Sequence, residues 1–250
     1  MYYIFLIFLQ MSQKLDSNLE IAKKMNELKL SVLLKQQLRL SQEIFSYGLV
    51  GHEALLDLLI SRRIITKVAI SCLDGFLFQI LYSSNFHIIQ QGLKNYFPNG
   101  LIEFESSFDL DYRNLQDLLQ NYRYQEADRL TQKKLCKLVG LDDNNKRDWL
   151  YFTDVSMIPS DDLLMIDLLW RIYSREKFGF SKQRQIWLAN NCNWNRLWQI
   201  IGWTSKNQPL RYPNEFNWSL NAPSGHLPLF NQLRGVQVLS ALFNHIAWIN

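Results

Sequence analysis

The chain has 250 residues, with 27 Lys and Arg against 23 Asp and Glu, and a formal net charge of +4. A hydrophobic content of 48% with only ten Gly and six Pro excludes a disordered, fibrous or linker-rich protein and allows a sizeable core. The three cysteines, Cys72, Cys136 and Cys192, form no CxxC pair, which excludes a disulfide scaffold and a thiolate zinc ribbon and fits a reducing compartment. Cys136 and Cys192 are expected in the core.

The first nine residues, MYYIFLIFL, are apolar but fewer than the roughly 20 that a spanning helix needs. No basic residue precedes them and no small-residue cleavage site follows, so they do not resemble a signal peptide. Met11 opens a more ordinary sequence and is the expected start of translation. The alternative is that residues 1–10 form a short buried strand or helical turn.

Apolar residues at helical spacing predict a bundle over the first hundred residues. The clearest stripes are Leu15, Leu19, Ala22 and Met25; Ala54, Leu55, Leu58 and Leu59; and Val68, Cys72, Gly75 and Phe76. All eight tryptophans follow residue 148, and the polar stretch 99–111 lies before them. We therefore predict an N-terminal helical bundle over residues 1–108 and a second domain over 109–250.

The second domain is also predicted to be mostly helical, which makes the fold class all-α. Gly140 ends one helix, Asp161 and Asp162 cap another, and Ser181 and Asn193 are the expected N-caps of two short helices. Residues 204–227 lack periodicity and contain three prolines, which predicts a long irregular loop. Loops of this length are often functional.

Catalytic motifs are absent from the sequence: there is no GxSxG, no phosphate-cradling GxxxxGK[ST] and no GxGxxG. The four histidines show no metal-ligand spacing, so we expect no enzyme activity and no dedicated metal site. His226 is the one candidate axial ligand or proton donor. A histidine in a turn is more often a partner of backbone groups.

Charge and aromatic residues concentrate together near the C-terminus. Residues 177–250 hold seven basic residues, one acid and six of the eight tryptophans. This combination suits a ligand that is flat, apolar and anionic, either single-stranded nucleic acid or a porphyrin. The alternative is a Trp-rich core with a solvated basic face.

Several runs, in order along the chain, resemble the genomes-uncoupled-four family of tetrapyrrole-binding magnesium chelatase activators. They are LQDLLQNYRYQEADRLT (115–131), DLLW (167–170), FGFSKQ (178–183), IGW (201–203), RYPNEF (211–216), APSGHLP (222–228) and NQLRG (231–235). Family members often carry another aromatic residue where this chain has Gln208, Pro209 and Leu210.

The resemblance implies a mostly helical tetrapyrrole-binding core domain that binds protoporphyrin IX and Mg-protoporphyrin IX and stimulates magnesium chelatase in chlorophyll biosynthesis. The implied partner is the large porphyrin-binding subunit of the chelatase. Peripheral membrane association is a further expectation, and no nucleic-acid partner is expected. The implied compartment is the chloroplast stroma, for a plastid-encoded protein, or the cyanobacterial cytoplasm. The alternative function is a helical protein–protein adaptor without a bound tetrapyrrole.

Site residues follow from the resemblance together with the chemistry of a porphyrin. Arginine forks would pair with the propionates and apolar walls would bury the macrocycle. Arg211 and Arg234, with Arg129 as a weaker candidate, are the expected anion partners. The expected walls are Trp203, Phe216, Phe178 and Leu227, and residues 204–214 are the expected mobile lid.

Overall fold

The computed structural model describes residues 17–103, 110–141, 147–206, 208–229 and 236–249. It is 62% helical, with a sheet of only two short strands, which confirms the all-α class. The chain divides into two compact units, Met1–Leu101 and Ile102–Asn250, here called unit 1 and unit 2. Of the helices in the described ranges, none combines the length and apolar character that crossing a bilayer requires.

Unit 1 is a bundle of short helices. They are α1 (residues 17–30), α2 (Leu34–Phe45), α3 (Leu49–Ile60), α4 (Cys72–Tyr82) and α5 (His87–Tyr96), with a π-helical turn at Ser61–Ile65 after α3. Helices α3 and α4 pack against each other, and both also contact α2 and α5. Their central position explains why these two helices are more apolar than their neighbours.

The core of unit 1 is aliphatic. Leu55 and Leu59 of α3 lie four residues apart on one helix face, and Leu77 and Leu81 of α4 repeat the spacing; none of the four is exposed. Burying each such side chain stabilises the fold by about 1.5–3 kcal/mol. The helical period of apolar residues is therefore sufficient to specify this core.

Helices α2 and α3 approach each other closely at Gly51. A Cβ atom placed on this glycine would lie 1.9 Å from the carbonyl oxygen of Ile44 in α2. The turn between the helices contains Gly48 at φ +67°, a left-handed conformation that favours glycine. The two glycines act differently, since a Cβ on Gly48 would meet no atom within 4 Å.

The start of α4 corrects the predicted stripe, which placed Val68 in this helix. Residues 64–69 are exposed and the helix begins at Cys72. The side chain of Asp74 fixes that start, because its Oδ2 accepts from the Ser71 backbone N–H at 2.9 Å and from the Ser71 hydroxyl at 2.8 Å. The Arg62 guanidinium pairs with Oδ1 at 2.6 Å, and this bond raises the pKa of Arg62.

Unit 2 contains seven helices among its described residues. They are α6 (Arg113–Gln120), α7 (Tyr124–Leu138), α8 (Phe152–Val155), α9 (Ser160–Tyr173), α10 (Phe180–Ala189), α11 (Trp194–Ile200) and α12 (Val236–Phe243), followed by a 3-10 turn at Ile246–Trp248. Strands β1 (Thr204–Ser205) and β2 (Gln208–Pro209) form an antiparallel hairpin within the stretch predicted to be irregular.

The core of unit 2 contains many aromatic side chains, and several of their polar tips have hydrogen-bond partners, although Trp187 Nε1 has none among the described residues. The Tyr112 hydroxyl donates to Asp162 Oδ1 at 2.6 Å, and the Trp170 indole Nε1 donates to Thr131 Oγ1 at 3.0 Å. Asp161 and Asp162 both lie in the first turn of α9, as predicted, and the side chain of Asp162 is buried. Buried polar atoms need such partners, because an unmade bond costs about 1–3 kcal/mol.

The N-terminus of α10 also differs from the prediction. Ser181 lies inside the first turn, and its N–H and hydroxyl donate to the Asp167 carboxylate at 2.8 and 2.6 Å. The N-cap of α10 is Gly179, whose φ of +130° favours glycine. A Cβ atom added at this position would lie only 2.8 Å from Asp167 Oδ1, which also requires glycine. Burial raises the pKa of Asp167.

The neighbouring short helix gives one confirmed prediction and one error. Asn193 is the N-cap of α11, and its Oδ1 accepts from the Arg196 backbone N–H at 2.9 Å. Cys192 is exposed at φ +58°, so its predicted place in the core is wrong, whereas Cys136 is buried as expected. The expectation for Cys192 depended on residue type alone, and the residue lies in the turn before α11, where it is exposed.

Candidate functional site

The segment 222–229, which contains the APSGHLP motif, is held at its middle and at its C-terminal end by buried polar side chains. Gln183 Nε2 of α10 donates to the carbonyl oxygens of Gly225 and Pro228 at 2.9 and 2.8 Å. The Leu229 N–H donates to Asp128 Oδ1 of α7 at 2.6 Å. Residues 222–229 are thereby fixed between α7 and α10 without a strand or helix of their own.

His226 lies in the middle of this segment and is a structural residue. Its Nδ1 lies 2.7 Å from the Ile201 carbonyl oxygen, and its Nε2 accepts from the Asn217 N–H at 3.2 Å. Because a carbonyl oxygen only accepts, these partners assign the proton to Nδ1 and leave no nitrogen available for a metal. Burial lowers the pKa of His226, which favours this neutral form.

Asp128 brings a titratable carboxyl into the same region. Burial raises its pKa to about 7, against the opposing effects of the Leu229 N–H and the neighbouring Arg129 guanidinium. The next residue along α7, Arg129, is exposed. Two consecutive residues of α7 therefore differ in role: the buried Asp128 carboxyl binds segment 222–229, and the Arg129 guanidinium is exposed to solvent.

Arg129 contacts the segment that carries the RYPNEF motif. Its Nε donates to the Tyr212 hydroxyl at 3.3 Å, across 83 residues of sequence. The adjacent Arg211 is exposed, and its backbone N–H donates to Glu215 Oε2 at 2.6 Å. Of the predicted anion partners, Arg129 thus contacts Tyr212 through a hydrogen bond, and Arg211 is its neighbour in the chain.

Trp203 joins the hairpin to segment 222–229. Its indole Nε1 donates to the His226 carbonyl oxygen at 2.7 Å, and its own carbonyl oxygen accepts from the Leu210 N–H at 2.9 Å. The ring stacks on Trp198 with centroids 5.1 Å apart and planes 9° from parallel. Trp203 therefore lies at the base of the hairpin, covered rather than open.

The predicted wall residues are buried in the described structure. Phe178 and Leu227 are fully buried, while Trp203 is 3% exposed and Phe216 is 5% exposed. Phe178 packs edge-on against Tyr124 at 5.4 Å, as part of the aromatic core. Arg234 lies outside the described residues.

Sequence reasoning missed several residues that organise this region. Asp128, Gln183 and Tyr212 lie inside the quoted motifs but were not singled out, since their roles depend on partners 42 to 101 residues away. A polar side chain within an otherwise apolar helix face, such as Asp128, is the sequence feature that could have indicated a buried hydrogen-bonding role. No cluster of three or more candidate metal ligands is present in the described part of the chain.

Comparison with known proteins decides the family. A GUN4-like family model matches residues 105–246. The Ycf53 protein of Pyropia yezoensis is 44% identical over 217 residues, covering 87% of this chain and 91% of its own length. The chain belongs to the GUN4-like family. The resemblance identified from the motifs is thereby confirmed.

Other GUN4-like relatives have chloroplast and cyanobacterial origins, which makes this a chain of plastid or cyanobacterial type. A Ycf53-like protein of Synechocystis is 39% identical over 86% of this chain and 91% of its own length. The chloroplastic tetrapyrrole-binding protein of Arabidopsis thaliana is 36% identical over 54% of each.

Solved GUN4 structures match the helical fold. GUN4 from Chlamydomonas reinhardtii aligns with a TM-score of 0.54 at 40% identity, over 58% of this chain and 95% of that one. Ligand-free GUN4 from Arabidopsis thaliana aligns with a TM-score of 0.50 at 36% identity, over 55% of this chain and 97% of that one.

Proposed function

We propose that this GUN4-like chain is a non-catalytic protein that binds protoporphyrin IX and Mg-protoporphyrin IX and stimulates magnesium chelatase in chlorophyll biosynthesis. The observation that carries the proposal is the family match over residues 105–246, a range that contains all seven predicted site residues. The name of the Arabidopsis relative supports a tetrapyrrole as the ligand class.

Arg129 and Arg211 are proposed to pair with the propionates near Tyr212, with Arg234 as a third cation. Guanidinium groups bind carboxylates through paired hydrogen bonds that fix orientation as well as adding affinity. Both described arginines are exposed and so can reach an incoming anion without unfolding the core.

The apolar wall is proposed to open when the lid, residues 204–214, moves. Trp203 and Phe216 are nearly covered in the described structure, whereas a macrocycle needs their faces for contact. The single hydrogen bond from Arg129 to Tyr212, at 3.3 Å, ties the lid to α7 and is weak enough to break on binding. Phe178 and Leu227 would support the wall from behind.

The proposed partner is the large porphyrin-binding subunit of magnesium chelatase, in the chloroplast stroma or the cyanobacterial cytoplasm, with peripheral membrane association. In this role the chain supplies binding and presentation of the porphyrin, and the chelatase supplies the chemistry. Magnesium would reach the site only as part of the bound Mg-porphyrin.

A porphyrin titration tests the proposal. Protoporphyrin IX added to the full chain should quench tryptophan fluorescence and give a saturable, red-shifted Soret band. The double variant Arg211→Ala plus Arg234→Ala should weaken binding about tenfold or more, since two charge-assisted contacts are lost. Arg196→Ala removes an exposed arginine of α11 and is the matched control. Absence of any spectral change in the wild type at micromolar porphyrin contradicts the proposal.

A helical adaptor remains the second candidate function, and one observation favours it. Large aliphatic side chains of unit 1 are exposed, among them Leu30 at 83% and Val32 at 91%. Exposed apolar surface often marks protein-binding sites. If the double arginine variant loses porphyrin yet still associates with the chelatase subunit as the wild type does, the adaptor function is favoured.

A further inference from the structure

A cavity in unit 2 borders segment 222–229 through Ser224. It has a volume of about 400 Å³, opens to solvent, and is lined by Ser174, Arg175, Glu176, Lys177, Lys182, Leu220 and Ser224. None of the seven predicted porphyrin-site residues is in this lining. The volume falls within the range of small-molecule sites.

The charge in the cavity is positive. Three of its seven lining residues are cationic and one is acidic. The acid, Glu176, is already neutralised, because Arg171 holds both of its carboxylate oxygens at 2.9 Å from outside the lining. The cationic side chains therefore face the cavity without a competing local anion from Glu176.

The two lysines keep their charge uncompensated. Lys177 Nζ donates to the Leu220 carbonyl oxygen at 2.5 Å, and Lys182 Nζ donates to Gln185 Oε1 at 3.0 Å. Both acceptors are neutral, and within the described ranges neither ammonium is in an ion pair with a carboxylate. Both side chains are half-buried, so solvent screens them less than it would a free surface lysine.

The backbone of the cavity is held in an unusual conformation. Arg175 and Glu176 are consecutive non-glycine residues at φ +60° and +59°. L side chains rarely adopt this region, and such strain persists at sites where the surrounding structure fixes it. Backbone bonds from Glu176 N–H to Arg171 O and from Gly225 N–H to Lys177 O hold the turn against α9 and segment 222–229.

We propose that this cavity binds a small multivalent oxyanion, either free pyrophosphate or the diphosphate of a nucleotide. Lysine ammonium groups bind phosphate as compact point charges, and the Ser224 hydroxyl, whose present bond to the Lys177 carbonyl oxygen is long at 3.3 Å, can rotate to donate to an oxygen of the anion. The inference does not depend on porphyrin binding, since the two sites share no lining residue.

Calorimetric titration of the full chain with inorganic pyrophosphate, at constant ionic strength, tests the site. We expect a Kd of about 1 mM or lower, weakened about fivefold or more in each of Lys177→Gln and Lys182→Gln. Lys137→Gln removes an exposed lysine of α7 and should change the Kd by less than about twofold. A parallel titration with ADP identifies the source: tighter binding of ADP than of pyrophosphate indicates a nucleotide, and the reverse indicates the free anion.

Two results would overturn the site. One is that neither pyrophosphate nor ADP gives saturable heat with the wild type. The other is that Lys137→Gln weakens binding as much as the two cavity variants do, which indicates attraction to net charge alone. The cavity variants should also give a wild-type circular dichroism spectrum and a wild-type porphyrin titration, so failure here and failure of the porphyrin proposal are separable.

Discussion

Units 1 and 2 are both helical, yet they stabilise their interiors by different chemistry. In unit 1 most of the central residues are aliphatic, such as Leu59 and Leu77, although the buried His52 Nδ1 also lies 2.8 Å from Ser84 Oγ. In unit 2 the central side chains are aromatic, and polar tips such as those of Tyr112 and Trp170 bond to partners 50 and 39 residues away. The difference teaches that helical periodicity specifies most of the first core, whereas the second depends more on particular pairs.

The largest expected effect tests the aromatic core. Trp170→Ala should destabilise unit 2 by about 3–5 kcal/mol, because it leaves a cavity and an unpaired Thr131 hydroxyl. Urea unfolding followed by tryptophan fluorescence measures this change selectively, since all eight tryptophans lie in unit 2. Trp170→Phe fills most of the space but cannot donate, so it should be intermediate. Equal effects of the two variants would show that the Trp170–Thr131 bond adds no stability.

The tight approach of α2 and α3 should be the most sensitive point of unit 1. Gly51→Ala places a Cβ against a backbone oxygen that cannot move alone, and should cost about 3 kcal/mol. The matched control, Gly48→Ala, introduces only left-handed strain and should cost about 1–2 kcal/mol. Far-UV circular dichroism in urea measures both. A smaller loss for Gly51→Ala than for Gly48→Ala would contradict the close packing of these helices.

The buried carboxyl of Asp128 gives unit 2 a pH response that can be isolated by substitution. Its folded pKa of about 7 lies above its usual value, so its stabilising contribution is present at low pH and is lost as the pH rises to about 7. Asp128→Asn cannot ionise and keeps an oxygen for the Leu229 N–H. The free energy of unfolding of Asp128→Asn, relative to that of the wild type, should rise by on the order of 2 kcal/mol between pH 5 and pH 8.

Unfolding midpoints at the two pH values, read by tryptophan fluorescence, check this prediction. The histidines act in the opposite direction: burial lowers the pKa of His226 and of His245, so their contribution is lost as the pH falls below about 6.5. Both proteins carry these histidines, so their effect cancels in the difference. Asp161→Asn removes an exposed carboxyl of the same unit and is the matched control.

The same contrast explains how far the sequence could be interpreted. The helices of unit 1 follow from apolar spacing, and the error at Val68 arose because the Asp74 cap, not the stripe, sets the start of α4. In unit 2 the motifs identified the family and the region proposed as its site. The partners that build it, such as Asp128 with Leu229 and Arg129 with Tyr212, are separated by 101 and 83 residues. Local patterns carry no information on which distant groups meet.

Ser181 and Asn193 show the limit at a finer scale. Both residue types favour the N-cap, yet only Asn193 bonds its own helix, while the Ser181 hydroxyl binds the buried Asp167. Propensity describes what a side chain can do locally. A buried carboxylate that needs a donor takes precedence, because leaving it unpaired costs more than a cap contributes.

The smallest expected effect concerns this cap. Asn193→Ala should destabilise unit 2 by about 1 kcal/mol, because the first turn of α11 loses its acceptor for the Arg196 N–H. Asn193→Asp retains an acceptor and should restore most of the loss. Ser71→Ala is the corresponding substitution in unit 1. It should lower the free energy of unfolding by no more than Asn193→Ala does, since Asp74 Oδ2 still accepts from the backbone N–H of residue 71. Urea midpoints compare the three variants. A loss of stability for Ser71→Ala well above that for Asn193→Ala would mean that unit 1 depends on directional bonds as strongly as unit 2. The contrast between the two interiors would then not extend to their helix ends.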